Sequence, residues 1–245
     1  MKTFSKTILL ALIFLIFFST NGLADPNWDT FKAITYTGDG LTRSISGVGF
    51  KPDLVWVKGR TAGYEHYLFD SVRGATKILS SHNSNAEGTL SNGLLSFDED
   101  GFTTGSIADM NAVGQAYVAW CWKAGDGTVS NTDGTITVEV NAGKAMSIVK
   151  YTGTGVAGTI GHGLATPPKF VIVKELNTAD NWVVWHEGMT SYTYGAFLNL
   201  SNKEFDIDGG FLIVLLTNIV SIGNAPAING SGNKYIAYCF AEATG

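Results

Sequence analysis

Apolar positions along this chain fall in short runs rather than in long stripes with a 3.6-residue period. Residues 147–151, 169–174 and 235–240 are rich in Val, Ile and aromatics and are bounded by Gly, Pro or Asn. Runs of that length and content predict β-strands. Residues 211–216 are wholly apolar and include the β-branched Ile213 and Val214, and with the shortness of the run this predicts a buried strand. Pro52 and Pro168 sit just before their strands, where a missing N–H costs no ladder bond. Residues 71–79 predict a helical turn at most. Alternation puts Trp120 and Trp122 on one face of their strand and Cys121 on the other.

The run at the N-terminus is different. Residues 8–18 are unbroken apolar, behind a basic start carrying Lys2 and Lys6 and ahead of the small residues Gly22 and Ala24. The run is shorter than the ~20 residues that cross a bilayer as a helix. It has the layout of a secretory signal, with cleavage expected after Ala24. Export implies an oxidising compartment.

The second half of the pattern echoes the first. Tyr36-Thr37-Gly38-Asp39-Gly40 returns as Tyr151-Thr152-Gly153-Thr154-Gly155. Asp53-Leu54-Val55-Trp56-Val57-Lys58 returns as Lys169-Phe170-Val171-Ile172-Val173-Lys174. Asn111-Ala112 followed by Tyr117-Val118-Ala119-Trp120-Cys121-Trp122 returns as Asn229-Gly230 followed by Tyr235-Ile236-Ala237-Tyr238-Cys239-Phe240. From strand lysine to cysteine the interval is 63 residues in one half and 65 in the other. A period of about 115 residues is too long for a solenoid and predicts duplicated domains. The expected organisation is a signal peptide over 1–24, a β-sandwich unit over 25–124, a linker over 125–145 with a short strand at 135–140, and a second unit over 146–245. The fold class expected is all-β: tandem β-sandwich repeats of jelly-roll or concanavalin-like type, preceded by a signal-peptide helix.

Composition narrows the partners. The full chain has 16 basic and 21 acidic residues. Without Lys2 and Lys6 the balance is 14 against 21, a net charge of −7. So acidic a chain offers nucleic acid or anionic lipid no attraction. Membrane contact is expected only through the signal segment before cleavage.

The series Tyr-Thr-Gly-x-Gly, Gly49-Phe50-Lys51-Pro52-Asp53-Leu54-Val55-Trp56-Val57-Lys58, Asp70-Ser71-Val72-Arg73-Gly74-Ala75-Thr76, Phe97-Asp98-Glu99-Asp100-Gly101-Phe102 and Tyr117-Val118-Ala119-Trp120-Cys121-Trp122-Lys123-Ala124-Gly125 resembles a repeat of bacteriophage tail-fibre and minor virion structural proteins from phages of marine bacteria. The resemblance covers nearly all of the chain beyond the signal. It implies a lectin-like sandwich used in an appendage, with no catalytic motif to carry over. Phage structural proteins assemble in the host cytoplasm, and the export segment departs from that. The expected location is therefore secreted, periplasmic or cell-surface, or the virion if the gene belongs to a phage. Expected partners are a surface glycan or other appendage subunits, with homo-oligomerisation if the chain is an appendage.

Several residues invite chemistry. Cys121 and Cys239 occupy the same place in each half, which favours two buried free thiols over a bridge. A single continuous sandwich would leave the bridge open. Asp98-Glu99-Asp100-Gly101 and Asp206-Ile207-Asp208-Gly209 read as turns rather than calcium loops, because they lack the full ligand spacing. His66, Asp70, His82, His162, His186 and Glu187 are the acid–base candidates, but no known catalytic spacing joins them. No enzyme, cofactor or metal site is expected; the alternatives to a glycan-binding module are a secreted polysaccharide-active enzyme, a glycoside hydrolase or lyase, and a ligand-free structural spacer. Tyr64, Tyr67, Trp182, Trp185, Tyr192 and Tyr194 cluster in corresponding segments, either as core or as platforms for sugar rings. Tyr64, His66, Tyr67, Trp182, Trp185 and His186 are the carbohydrate-binding candidates.

Overall fold

The structure is a computed structural model that describes residues 30–207 and 217–242. The expected signal segment, Asp208-Gly209 of the second acidic turn and the apolar run 211–216 lie outside the described residues. The N-terminal half contains β1 (Phe31–Thr37), β2 (Arg43–Ser46), β3 (Leu54–Gly59), β4 (His66–Asp70), β5 (Lys77–Ser80), β6 (Gly88–Thr89), β7 (Leu94–Asp98), β8 (Gly101–Thr104), the one-turn helix α1 (Ala108–Asn111) and β9 (Ala116–Trp122). Then come β10 (Val129–Asn131), β11 (Val138–Ala142), β12 (Met146–Thr152), β13 (Gly158–Gly161), β14 (Pro168–Glu175), β15 (Val183–His186), β16 (Tyr194–Phe197), β17 (Phe205–Asp206), β18 (Ile219–Ile222), α2 (Pro226–Asn229) and β19 (Lys234–Ala241). The protein is all-β, in several antiparallel sheets.

One large sheet has the order β1-β9-β3-β4-β5-β6 and the other β10-β11-β12-β19-β14-β15-β16-β17. Smaller sheets, β2-β8-β7 and β13-β18, lie apart from them in the ladder. The linker strand expected at 135–140 is present as β11, which begins three residues later, at Val138. It pairs with β12 through Val140 opposite Val149, so it lengthens the second sheet instead of standing free.

Three apolar cores follow from strand alternation. Val55, Val57, Phe69, Tyr117, Ala119 and Cys121 point from the first large sheet into a core shared with Ile45 and Phe102 of the small sheet. Val171, Val173, Trp185, Tyr235, Ala237 and Cys239 do the same in the second half, against Ile160 and Val220. The opposite faces of the two large sheets meet in a third core. There Leu54, Leu68 and Leu79 lie with Ile148, Ile172, Trp182, Ile236 and Tyr238. β3, β14 and β19 are thus buried on both faces, which is why their sequences are near-continuous apolar runs.

One hydrogen-bonded arrangement occurs in both halves. The Tyr36 hydroxyl donates to Met110 O at 2.7 Å, and that of Tyr151 donates to Ile228 O at 2.6 Å. Tyr36 stacks on Tyr117 at 5.3 Å, and Tyr151 on Tyr235 at 5.2 Å. Asn111 Nδ2 donates to Leu41 O and Gly105 O, while Asn229 Nδ2 donates to Val156 O and Gly223 O. Their Oδ1 atoms accept the backbone N–H of Asp39 and of Thr154. Each amide side chain closes a helical turn onto the Tyr-Thr-Gly loop. That loop needs glycine for space. A Cβ at Gly38 would lie 2.2 Å from Ala112 O, and one at Gly153 would lie 2.3 Å from Gly230 O.

Candidate functional site

β4 carries His66, Leu68 and Asp70 on one face and Tyr67 and Phe69 on the other, as a pleated strand must. The backbone before it turns so that Glu65 N–H donates to Asp109 Oδ1 at 3.3 Å. The Tyr67 hydroxyl donates to the other oxygen of the same carboxylate, also at 3.3 Å. Asp109 is offered by α1, whose last residue, Asn111, is fixed by the network above. The polar loop after β5 supplies Asn83 and Asn85, and the end of β5 supplies Ser80. These six residues line one cleft of about 470 Å³. Its size and convergent polar groups suit a small polar ligand.

Burial, followed by the negative charges of Asp109 and Glu65, pushes the Tyr67 phenol up to about 12. It remains an O–H donor at neutral pH. Glu65, which lines the cleft, pairs its carboxylate with His82 Nε2 at 2.9 Å. His66 N–H donates to His82 Nδ1 at 3.4 Å, and the two imidazole rings are 4.9 Å apart. Burial lowers the His66 pKa, and the neighbouring Lys58 and His82 add to that against the opposing effect of Glu65.

The six carbohydrate candidates from the sequence do not form one surface. Tyr67 lines the cleft. Tyr64 is half-buried with its ring stacked on Tyr117 at 5.9 Å. His66 is on the far face of β4 from Tyr67. Trp182 is wholly buried between the large sheets, and its indole N–H donates to Ser80 O at 2.9 Å and Asn83 O at 3.1 Å. Trp185 is buried in the core of the second half, stacked on Tyr192 at 6.3 Å. Neither indole offers a face to a ligand in solution. The reason is alternation across a sheet covered on both sides. His186 is exposed, and its Nδ1 accepts the Gly188 N–H at 2.9 Å.

The acid–base candidates do not converge either. Asp70 is buried against Arg73. His162 is buried, with Nδ1 accepting the Leu164 N–H. Glu187 pairs with Lys169 on the surface. Asp98 and Asp100 serve a turn: Asp98 binds Ser96 and Thr103, while Asp100 accepts the N–H groups of Gly47 and Gly49. Those two N–H bonds hold the exposed Asp100 carboxyl below its usual range. Among the described residues no group of three or more His, Cys, Asp or Glu is placed to hold a metal ion. No helix among them is long and apolar enough to cross a membrane.

Glu65, Ser80, Asn83, Asn85 and Asp109 were missed in the sequence. A signal was present for Asp109, because counting back from Asn111 and Asn229 sets it opposite Ala227. The register gives the rest. Val55 pairs with both Cys121 and Phe69, and Val171 pairs with both Cys239 and Trp185. Tyr67 therefore stands opposite Val183 and His66 opposite Trp182. The polar cleft has no counterpart of the same chemistry at those positions of the second half.

No curated protein and no solved structure matches the chain. Residues 26–245 match a family described as a domain of unknown function, DUF7483. The match runs through both large sheets and both networks built on Asn111 and Asn229, and the chain belongs to that family.

Proposed function

We propose that this is an exported, non-enzymatic module of the phage-appendage type, built as two sandwich units in tandem, that binds carbohydrate through the cleft at Tyr67 and Asp109. The observation that carries the reading is the convergence of a phenol, two carboxylates, a hydroxyl and two carboxamides on one cleft of about 470 Å³. Sugar hydroxyls both donate and accept, so a site that mixes acceptors with amide donors suits them. The paired networks at Asn111 and Asn229, with matching strand orders, support the tandem organisation. Since Val183 and Ala227 replace Tyr67 and Asp109 in the second half, the reading gives one site per chain.

A second reading has a specific observation in its favour. Glu65 and Asp109 place two carboxylates in one cleft, the minimum equipment of a glycoside hydrolase. A general acid of that kind works when apolar surroundings keep it protonated. Here Tyr67, Ser80, Asn83 and Asn85 line the cleft alongside Ile78 and Ala86, and a wall with that many polar groups favours binding over hydrolysis. Screening the protein on a glycan array and assaying the same glycans for reducing-sugar release separates the two. Binding without release, lost in Asp109→Ala, is the expected result. Release of sugar from any of them would replace the first reading with the second.

A further inference from the structure

The charge lining the cleft is of one sign. Glu65 and Asp109 are its ionisable acids, and no Lys or Arg is among the residues that line it. Glu65 has a partner in His82. Asp109 is held by two neutral donors, the Glu65 N–H and the Tyr67 O–H. Among the described residues no cation comes within ion-pair distance of it. A carboxylate accepts at several lone pairs, and two neutral hydrogen bonds leave capacity on both oxygens. The high pKa of Tyr67 keeps its proton in place, so the phenol positions the carboxylate and adds no charge of its own.

Resting on the carbohydrate reading of this cleft, we infer that its ligand is an amine-bearing sugar, whose ammonium group is received by Asp109 while its hydroxyls meet Asn83, Asn85 and Ser80. An ammonium brings three donors to the Asp109 carboxylate, which only accepts. A charge-assisted hydrogen bond is roughly twice as strong as a neutral one. An acetylated amine brings one donor and no charge, and so loses that advantage. The acidity of the whole chain works in the same direction by drawing polycations to it.

The test compares glucosamine oligomers with fully N-acetylated oligomers of the same length by titration calorimetry on the whole protein, under mildly acidic conditions that keep the amine charged. The free-amine oligomer is expected to bind about tenfold more tightly. In Asp109→Asn, whose oxygen can still accept the Glu65 N–H while its N–H₂ donates to the Tyr67 hydroxyl, the two affinities should converge. If that variant does not fold, salt gives the same answer on the native protein: added salt should weaken the amine oligomer and spare the acetylated one. Equal affinities, or a preference that survives Asp109→Asn, would overturn the amine inference and leave the carbohydrate reading standing. If neither oligomer binds and the array shows no neutral glycan either, the carbohydrate reading itself fails.

Discussion

The Tyr238 hydroxyl donates to Asp70 Oδ2 at 2.7 Å, joining residues 168 positions apart in a place sealed from solvent. Arg73 completes the group. Its Nε contacts the same Asp70 oxygen, and its Nη2 reaches Leu68 O at 3.2 Å and the Tyr238 hydroxyl at 3.4 Å. The Arg73 and Asp70 side chains are 1% and 0% exposed. This charged pair sits beside the apolar core between the large sheets, and one of its hydrogen bonds comes from the far half. Removing Arg73 would strand a buried carboxylate, at a cost of about 3–5 kcal/mol. Tyr238→Phe removes the hydroxyl that donates to Asp70 and accepts from Arg73, and costs at least about 1.5–3 kcal/mol, the value of one bond to a charged group. Urea unfolding of Arg73→Met and Tyr238→Phe checks both values. An unchanged midpoint in Arg73→Met would refute the assignment.

Trp182 extends the same argument to cooperativity. Its indole N–H bonds Ser80 O and Asn83 O, from a residue a hundred positions later in the chain. With that donor gone, Trp182→Phe should lose about 1–3 kcal/mol. Because the apolar core around it draws on both halves, the loss should appear as one transition displaced as a whole. Hydrogen exchange on β3 and β14 in the variant should accelerate together. Faster exchange confined to β14 would show that the halves open independently.

Asn111 and Asn229 make a matched pair of predictions. Each uses its amide N–H₂ on two carbonyls and its oxygen on one N–H, inside a buried corner, and Asn111 Nδ2 also reaches Asp39 Oδ1 at 3.2 Å. An aspartate keeps the acceptor but has no donor when ionised. Asn111→Asp and Asn229→Asp should therefore each cost at least ~2 kcal/mol through unsatisfied carbonyls and a buried charge, and Asn111→Asp the more, because its new carboxylate would face that of Asp39. Thermal melts of the two variants, side by side, decide it. A large loss in one and none in the other would break the equivalence of the two corners.

Much of this was legible in the chain. The strands at β3, β9, β14 and β19 stood out as Val- and aromatic-rich runs. The alternation of Trp120 and Trp122 against Cys121 was correct because a pleat has only two faces. What could not be read was the burial of the outer faces of the large sheets against each other. Leu54, Ile172 and Tyr238 carry a hint of it, since a strand with one wet face should alternate and these strands do not. The position of Trp182 depended on that packing, and so did its loss as a ligand platform. The cleft was hidden for another reason. Glu65, Asp109 and Asn85 are ordinary surface residue types, and only the tertiary fold brings a helix turn, a strand start and a loop together.

The cysteines give a chemical test of the three-core arrangement. Cys121 faces the core of the first half and Cys239 that of the second, with both sheets and their shared core between them. Both are free and buried. Burial pushes each thiol up to about 12, so neither is a thiolate at neutral pH. Native protein should not react with a thiol reagent, and two thiols per chain should react after unfolding in urea. Reductant should leave the melting temperature unchanged. A native protein that reacts at once, or an unfolded one with no free thiol, would contradict the arrangement.

His66 sets the expected response to acid. Burial is the largest influence on its ring, with Lys58 and His82 adding repulsion and Glu65 giving back part of it. All of these compare the folded protein with an unfolded chain whose histidine titrates near 6.5. A folded pKa below the unfolded one means that the unfolded chain takes the proton first as pH falls. The contribution of His66 is thus fully present above the unfolded pKa and drains away below it, as pH falls toward the folded value. Other groups titrate in the same range, so the native protein alone does not isolate the effect. His66→Gln removes this titration and keeps a polar side chain on the strand. The difference in urea midpoint between about pH 7.5 and about pH 5.5, the range in which only His has an unperturbed pKa among side chains, should shrink in the variant. The variant should lose less stability on acidification than the native protein, because one site that disfavours folding in acid is gone. If the difference is the same size or larger, His66 does not set the acid response.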